Sequence, residues 1–508
     1  MEPCHSLSSA EPPSPRRQVT NPLNTPPNIL LITCDQLRWD TLGFQKRFPV
    51  RTPTIDALAR EGVVFDQAYC AYPICVPSRA SITTGRPCYD HGVYYNEMGW
   101  GEDIPTLPGT LSRNGYYSVA VGKMHFQPKS LHHGFDKRRA DNEIHYHDYL
   151  AAHGIDNPHA HRPTPDGTPH HPDTILNTFQ LADPGMPPEH YVTTYTTNEA
   201  LDELDLIHQR RRTPPSGSEP FFMWLSYIKP HTPCDPPEPY GSMYDPDDLP
   251  PINRDAGELD RFPKQLQWYR SHWDVLNEHT IRKLRARYLG NISMIDDQLA
   301  RVMQKLDELG LRESTIIVFS SDHGDYLGDH FCQQKSFFHD CSSRVPLIVS
   351  GAGVAGGRRV EDNCSHLDLT PTLLEAAKLA RPGRRNPMGR PIGHHSDFSP
   401  ALSLWPIVTG QSEGELRPDR IVFSESAIHG YSLMLKQGST KINYYDDTHE
   451  VERFDLDKDP DELHGEVCKL TDAELPEDIR QTLAEVHAKA HRHSGGFYGD
   501  ADWQQLFS

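Results

Sequence analysis

Residues 281–321 read IRKLRARYLGNISMIDDQLARVMQKLDELGLRESTIIVFSS, and two periods in this stretch decide the fold class. Leu284, Tyr288, Ile292, Ile295, Leu299, Val302 and Leu306 recur every three or four positions. That spacing predicts an apolar stripe along a helix spanning Ile281–Leu309, and Gly310 stops it. The spacing then collapses into the continuous apolar run Thr315–Ser321, which reads as a strand buried on both faces. A helix feeding directly into such a strand is the repeating unit of a largely parallel α/β sheet.

Working outward, short apolar runs at Asn28–Thr33 (NILLIT), Tyr117–Val121, Phe221–Tyr227 and Val345–Ser350 predict further buried strands. Thr54–Arg60, closed by Gly62, and Pro77–Thr84, stopped by Gly85, predict short helices. The stretch 140–190 is rich in His, Pro and Asp without a period, as an insertion or lid would be. Another rich in Pro, Gly and Arg, 381–400, leads out of the main domain. Beyond it, Ile421–Ser424, Tyr431–Leu435 and Lys441–Tyr445 predict a small antiparallel sheet, and Glu477–His491 a terminal helix. The expected organisation is a disordered Pro/Ser-rich tail over 1–27, a large mostly parallel α/β domain flanked by helices over 28–410, and a smaller α+β domain over 411–508.

Composition narrows the function. Fifty Lys+Arg against 70 Asp+Glu give a net charge of -20 over 508 residues, which argues against nucleic acid as a partner. It would also repel an anionic substrate at long range, so an anion site must be a local basic pocket. No apolar run approaches the ~18 residues of a membrane span. The N-terminal segment MEPCHSLSSAEPPSPRRQVTNPLNTPP has no apolar stretch of signal-peptide type. The ten cysteines are therefore expected to be reduced thiols in a cytoplasmic protein. The aromatic tail Phe497-Tyr498…Trp503…Phe507 offers a surface on which a second copy could dock, leaving a homo-oligomer open.

Three predicted strand ends carry candidate chemistry. Asp35 and Gln36 follow the first strand, Lys123 and His125 follow Tyr117–Val121, and Asp322-His323-Gly324-Asp325 follows Thr315–Ser321. Open α/β sheets bind ligands beyond the carboxyl ends of their strands. Oxygen and imidazole donors converging there could hold a hard or borderline divalent cation, or Asp35 and Asp322 could be helix caps and loop charges. Cys75-Val-Pro-Ser-Arg79 places a cysteine just before a Pro-started helix, where the helix dipole favours an anion. By its chemistry alone Cys75 is either a low-pKa nucleophilic thiolate or a buried structural cysteine. Gly351-Ala-Gly353-Val-Ala-Gly356 matches a dinucleotide fingerprint, but no helix opens after it, so a plain loop is expected.

Taken together, these segments resemble the sulfatase family of the alkaline-phosphatase superfamily. Cys75-Val-Pro-Ser-Arg79 with Thr84-Gly85 is similar to the family signature C-x-P-S-R…T-G. PNILLITCDQ resembles its opening strand and metal loop, GKMHF its G-K-x-H segment, and IKPHTP its P-H-x-P segment. SSDHGDYLGDH with Lys335 resembles the second metal loop and its trailing Lys, while HLDLTPTLL and RFDLDKDPDE resemble later landmarks. The resemblance runs from residue 28 to about 463.

The resemblance implies a sulfuric ester hydrolase acting on a small anionic sulfate ester. Its nucleophile would be the hydrate of formylglycine (3-oxoalanine), made from Cys75 by a maturation enzyme. It implies one divalent metal, held by Asp35, Gln36, Asp322, His323 and the modified Cys75, with calcium as the usual ion and manganese or magnesium as alternatives. Arg79 and Lys123 would hold the deprotonated hydrate, and Lys335 would bind sulfate oxygens. His231 would protonate the leaving alcohol, and His125 would take a proton from the hydrate's second hydroxyl. Many relatives carry Asp where this chain has Gln36 and Asn where it has His323. The Gln/His pair, with Asn96 as a substrate-side residue, is shared with phosphonate and phosphate monoester hydrolases that use the same nucleophile, and these form the alternative reading.

Overall fold

A computed structural model of the chain describes residues 25–141, 145–155, 185–213, 219–271, 277–379, 401–411, 420–428 and 430–493. The tail up to residue 24, most of the expected insertion, the stretch 381–400 and the aromatic tail from Phe497 lie outside the described residues.

Among the described residues eight strands form one sheet: β1 (Asn28–Asp35), β2 (Val63–Tyr69), β3 (Tyr117–Gly122), β4 (Lys137–Arg139), β5 (Phe221–Pro230), β6 (Thr315–Ser321), β7 (Leu347–Gly351) and β8 (Arg358–Ser365). Their spatial order is β4-β3-β5-β1-β6-β7-β2-β8. Every neighbouring pair is parallel except those made by β7, which runs against both β6 and β2. The architecture is the largely parallel α/β sheet that residues 281–321 predict. A second, fully antiparallel sheet follows: β9 (Ile421–Ser426), β10 (Ser432–Gln437), β11 (Thr440–Tyr445), β12 (Glu450–Asp455) and β13 (Glu466–Lys469), in the order β13-β12-β11-β10-β9.

Burial on both faces explains why β1 is apolar throughout. Leu30, Ile32 and Cys34 point into a core shared with the helices Val192–Arg211 and Glu278–Glu308, whereas Ile29 and Leu31 point into the opposite core with Val76, Ala80, Leu369 and Leu373. The long helix begins at Glu278, before the expected Ile281, because the Asn277 side chain accepts the Thr280 N–H at 2.9 Å. The helix expected from Pro77 begins at Cys75. Proline is accepted in a first helical turn, whose N–H groups lack intrahelical partners anyway. The strand expected from Val345 begins at Leu347, after Pro346, which has no N–H to donate to a ladder. After β7 the GAGVAG stretch is a loop that enters β8, as expected. Among the described residues no helix is long and apolar enough to cross a membrane. All nine cysteines among them are free thiols.

Candidate active site

The topology gathers the site before any side chain is considered. Strands β3, β5, β1 and β6 are adjacent and parallel, so their carboxyl ends share one edge. Asp35 ends β1, Asp322 follows β6, Lys123 and His125 follow β3, and His231 follows β5. Strand β2, two places beyond β6, has the same direction and leads to the helix Cys75–Thr84. Gly85 ends that helix at φ 64°, a left-handed conformation in which a Cβ would meet the Thr370 side chain at 2.8 Å.

Cys75 is the first residue of the helix and only 2% exposed. Its Sγ lies 3.2 Å from Lys335 Nζ, 3.3 Å from His323 Nε2 and 3.8 Å from Asp35 Oδ1, and the His125 side chain hydrogen-bonds it. Burial alone would raise the thiol's pKa. Lys335, Lys123 and His323 outweigh burial and hold it well below its usual value. Of the two readings left open by the sequence, the reactive anion is the one this environment supports.

One helical turn on, Arg79 is fully buried between the carboxylates of Asp35 and Asp322. Its Nε donates to Asp322 Oδ2 at 2.9 Å and its Nη2 to Asp35 Oδ2 at 3.1 Å. Its Nη1 donates to the Lys123 carbonyl at 2.6 Å and to Ser226 Oγ at 2.8 Å. Lys123 Nζ adds a second cation to Asp35 at 2.7 Å. Burial and the Cys75 thiolate push Asp35 up, but Lys123, His231 and Arg79 hold it far below the usual carboxylate range. Asp322 is pushed up, by burial first and then by the charge of Asp35. A divalent cation relieves such a like-charged pair. The donor atoms of Asp35, Cys75, Asp322 and His323 lie within 4.8 Å of one another and all four residues are buried. This donor set fits a divalent ion.

The remaining expected residues are placed as follows. The Gln36 backbone lies at φ 66°, a strained value for a residue with a side chain. Its N–H donates to Asp322 Oδ1 at 2.9 Å. Its amide spans two partners, accepting from Lys335 Nζ at 2.6 Å and donating to Asp325. In this arrangement its carbonyl oxygen serves Lys335. His125 also adopts a left-handed backbone, φ 55°. The backbone N–H of His231 donates to Asp35 O at 3.1 Å, its Nδ1 lies 2.8 Å from the Thr232 carbonyl, and its Nε2 lies 3.9 Å from Asp35 Oδ1. An Nδ1–H donated to that carbonyl turns the Nε2 lone pair toward the site. Burial, Lys335 and Lys123 lower its pKa to about 4. The Asn96 carbonyl accepts the Val76 N–H at 3.1 Å and so caps the Cys75 helix from another segment. Ser226 is part of the site that sequence reading passed over, and Asp325 is one to which it gave no particular role. Asp325 stands inside the quoted Asp322-His323-Gly324-Asp325 run, whereas Ser226 lies within a strand and gives no local signal.

A mostly parallel sheet whose strand ends surround a buried cysteine, two carboxylates and a histidine is the arrangement expected of a metal-assisted ester hydrolase. The chain belongs to the sulfatase family: the family model described as Sulfatase matches residues 27–379. It is 32% identical over 469 residues to an arylsulfatase of Clostridium perfringens (strain 13 / Type A), covering 86% of this chain and 89% of that protein. It is 28% identical to a choline-sulfatase of Rhizobium meliloti (strain 1021), covering 86% of this chain and 81% of that protein. Its fold is also that of the phosphonate monoester hydrolase of Agrobacterium radiobacter, at a TM-score of 0.71 and 24% identity, covering 92% of this chain and 96% of the other. The chain is a sulfuric ester hydrolase.

Proposed function

We propose that the chain hydrolyses a small anionic sulfate monoester, using formylglycine made from Cys75 and one divalent cation held by Asp35, Gln36, Asp322 and His323. The observation that carries this reading is the surroundings of Cys75 Sγ. A residue at a helix start, with Lys335 at 3.2 Å and His323 at 3.3 Å and with a hydrogen bond from His125, is built to stabilise an oxyanion in the same place. The relatives named arylsulfatase and choline-sulfatase support sulfate as the transferred group.

Formylglycine at residue 75 would supply, as its hydrate, one hydroxyl to act as nucleophile and a second whose deprotonation would release the sulfate. The cation would neutralise charge on the nucleophilic oxygen and on the ester. Gln36 would reach it by exchanging its bond to Lys335 for the ion. The chain's own groups do the rest. Arg79 and Lys123 fix Asp35 and Asp322 in place, Lys335 binds the anionic ester oxygens, and His125 serves as proton acceptor beside residue 75. His231 presents Nε2 to the site and protonates the leaving alcohol. The two lysines that keep it neutral are the ones an anionic ester screens, so substrate binding itself promotes its protonation.

Mass spectrometry across the Cys75 peptide tests the nucleophile: intact cysteine in the active protein would end this reading. Gln36 with His323 in the metal loops favours one alternative, a phosphonate or phosphate monoester hydrolase using the same nucleophile. Comparing kcat/KM for an aryl sulfate and an aryl phosphonate ester, with calcium and with manganese, separates the two. A preference for the phosphonate under both ions overturns the sulfate assignment.

A further inference from the structure

A second group of side chains with metal-ligand chemistry lies where the helix Glu477–His493 meets the antiparallel sheet, outside the Asp35/Asp322 centre. Asp446 opens the turn after β11, and its backbone N–H donates to Tyr431 O at 3.0 Å. His487 and His491 stand one turn apart on the helix Glu477–His493, their ring centroids 4.1 Å apart. Both face the same carboxylate. His487 Nε2 lies 2.7 Å from Asp446 Oδ1, and His491 Nε2 lies 3.3 Å from Asp446 Oδ2. One donor atom from each residue falls within 4.8 Å of the others.

We propose that Asp446, His487 and His491 form a binding site for a zinc-class divalent cation that clips the terminal helix onto the second sheet. Bonds of about 2.0–2.1 Å at tetrahedral angles put neighbouring ligand atoms about 3.3 Å apart; the His491–Asp446 separation of 3.3 Å matches that spacing, and the His487–Asp446 contact, a direct hydrogen bond at 2.7 Å, lengthens to admit the ion. Two imidazoles at i and i+4 on one helix face, with a carboxylate opposite, suit zinc, cobalt or nickel. They do not suit calcium, which takes six to eight oxygens. The Tyr444 hydroxyl donates to Asp446 Oδ1 at 2.9 Å and orients the carboxylate from behind. His487 is buried, while the side chains of His491 and Asp446 are 18% and 13% exposed. A hydrated ion can therefore enter, and a fourth position stays open to water. In the metal-free arrangement the imidazoles contact the carboxylate directly; the ion takes over both nitrogens as it binds, which makes binding pH-dependent.

The test uses the full chain carrying Cys75→Ala and Asp322→Ala, which disable the first centre. The protein is stripped with chelator, then dialysed against zinc or cobalt. The expected result is about one zinc per chain and the visible absorption of tetrahedral cobalt. Adding His487→Gln and His491→Gln should weaken zinc binding at least ~10-fold, while in the otherwise wild-type chain the same two changes leave ester hydrolysis unaltered. His491→Gln alone, at the partly exposed ligand, is the second variant should the buried His487 change impair folding, and it should weaken zinc binding in the same direction. A zinc isotherm unchanged by these substitutions, or no tetrahedral cobalt spectrum in the parent, means the three residues form a hydrogen-bonded cluster only and overturns the proposal.

Discussion

Arg79→Met removes the cation between the two buried carboxylates while keeping much of the side chain's length. Asp35 retains Lys123 Nζ at 2.7 Å. Asp322 keeps the Gln36 and His323 N–H groups on Oδ1, but Oδ2 loses Arg79 Nε. The Lys123 carbonyl and Ser226 Oγ each lose a donor as well. Breaking one partner of a buried pair costs about 3–5 kcal/mol, because the anion left behind stays desolvated. In a domain of this size that corresponds to a fall in Tm on the order of 4–6 °C. Differential scanning fluorimetry in chelator, then with calcium, gives the assay. The gap between variant and parent should narrow with calcium, since the ion supplies the positive charge that Asp322 has lost. Arg79→Lys should fall between the two, as one ammonium cannot reach all the acceptors of the guanidinium fork. A Tm in chelator within about 1 °C of the parent would refute the account, because it would mean that Asp322 does not depend on Arg79 for its charge.

Cys75→Ala should abolish turnover with little change in Tm; more than a few per cent residual activity would exclude residue 75 as the nucleophile. His231→Ala should lose roughly 10²–10⁴-fold on an alkyl sulfate and far less on an activated nitrophenyl sulfate, whereas His125→Ala should slow both alike; the reverse pattern in paired kcat measurements would exchange the two roles. Because burial, Lys335 and Lys123 hold His231 near a pKa of about 4, the basic limb of kcat should lie at higher pH than that of kcat/KM, and coincident limbs would contradict proton uptake on binding. Glu425, on β9, is pushed up to about 8 by burial, although Cys88 N–H and Tyr431 Oη both bond it. Its folded pKa exceeds its unfolded one, so its contribution is complete below about pH 4.5 and is lost as pH rises through about 8. Glu425→Gln should therefore gain stability over the parent across that window, by roughly 3–5 kcal/mol at its upper end; parallel Tm–pH curves would rule this out.

What could be read from the sequence followed from burial. Thr315–Ser321 matches β6 end to end because a strand covered on both faces must be apolar throughout. The edge strand β8 was missed because its exposed positions alternate charge, as at Arg359 and Glu361. The helix Val192–Arg211 was missed because its first turns bury Thr193, Thr194, Thr196 and Thr197, which blur the stripe. Asp35, Lys123 and Asp322 were legible because parallel strands deliver their ends to one edge. Ser226, inside β5, has no such marker. Asp446 and His487 lie 41 residues apart and meet only through the docking of the last helix on the sheet.

The wall around Cys75 is drawn from distant parts of the chain. Lys335, whose ammonium closes over the sulfur, is 260 residues further along. At synthesis rates of about 5–20 residues per second, that separation takes roughly 13–50 s to be made. During this interval the segment around Cys75 exists without the lysine that will enclose it. On the formylglycine reading proposed above, an enzyme that oxidises the thiol would have a working time set by the spacing of two residues. Slowing translation between them should raise the modified fraction, and speeding it should leave more chains sealed around an unaltered cysteine.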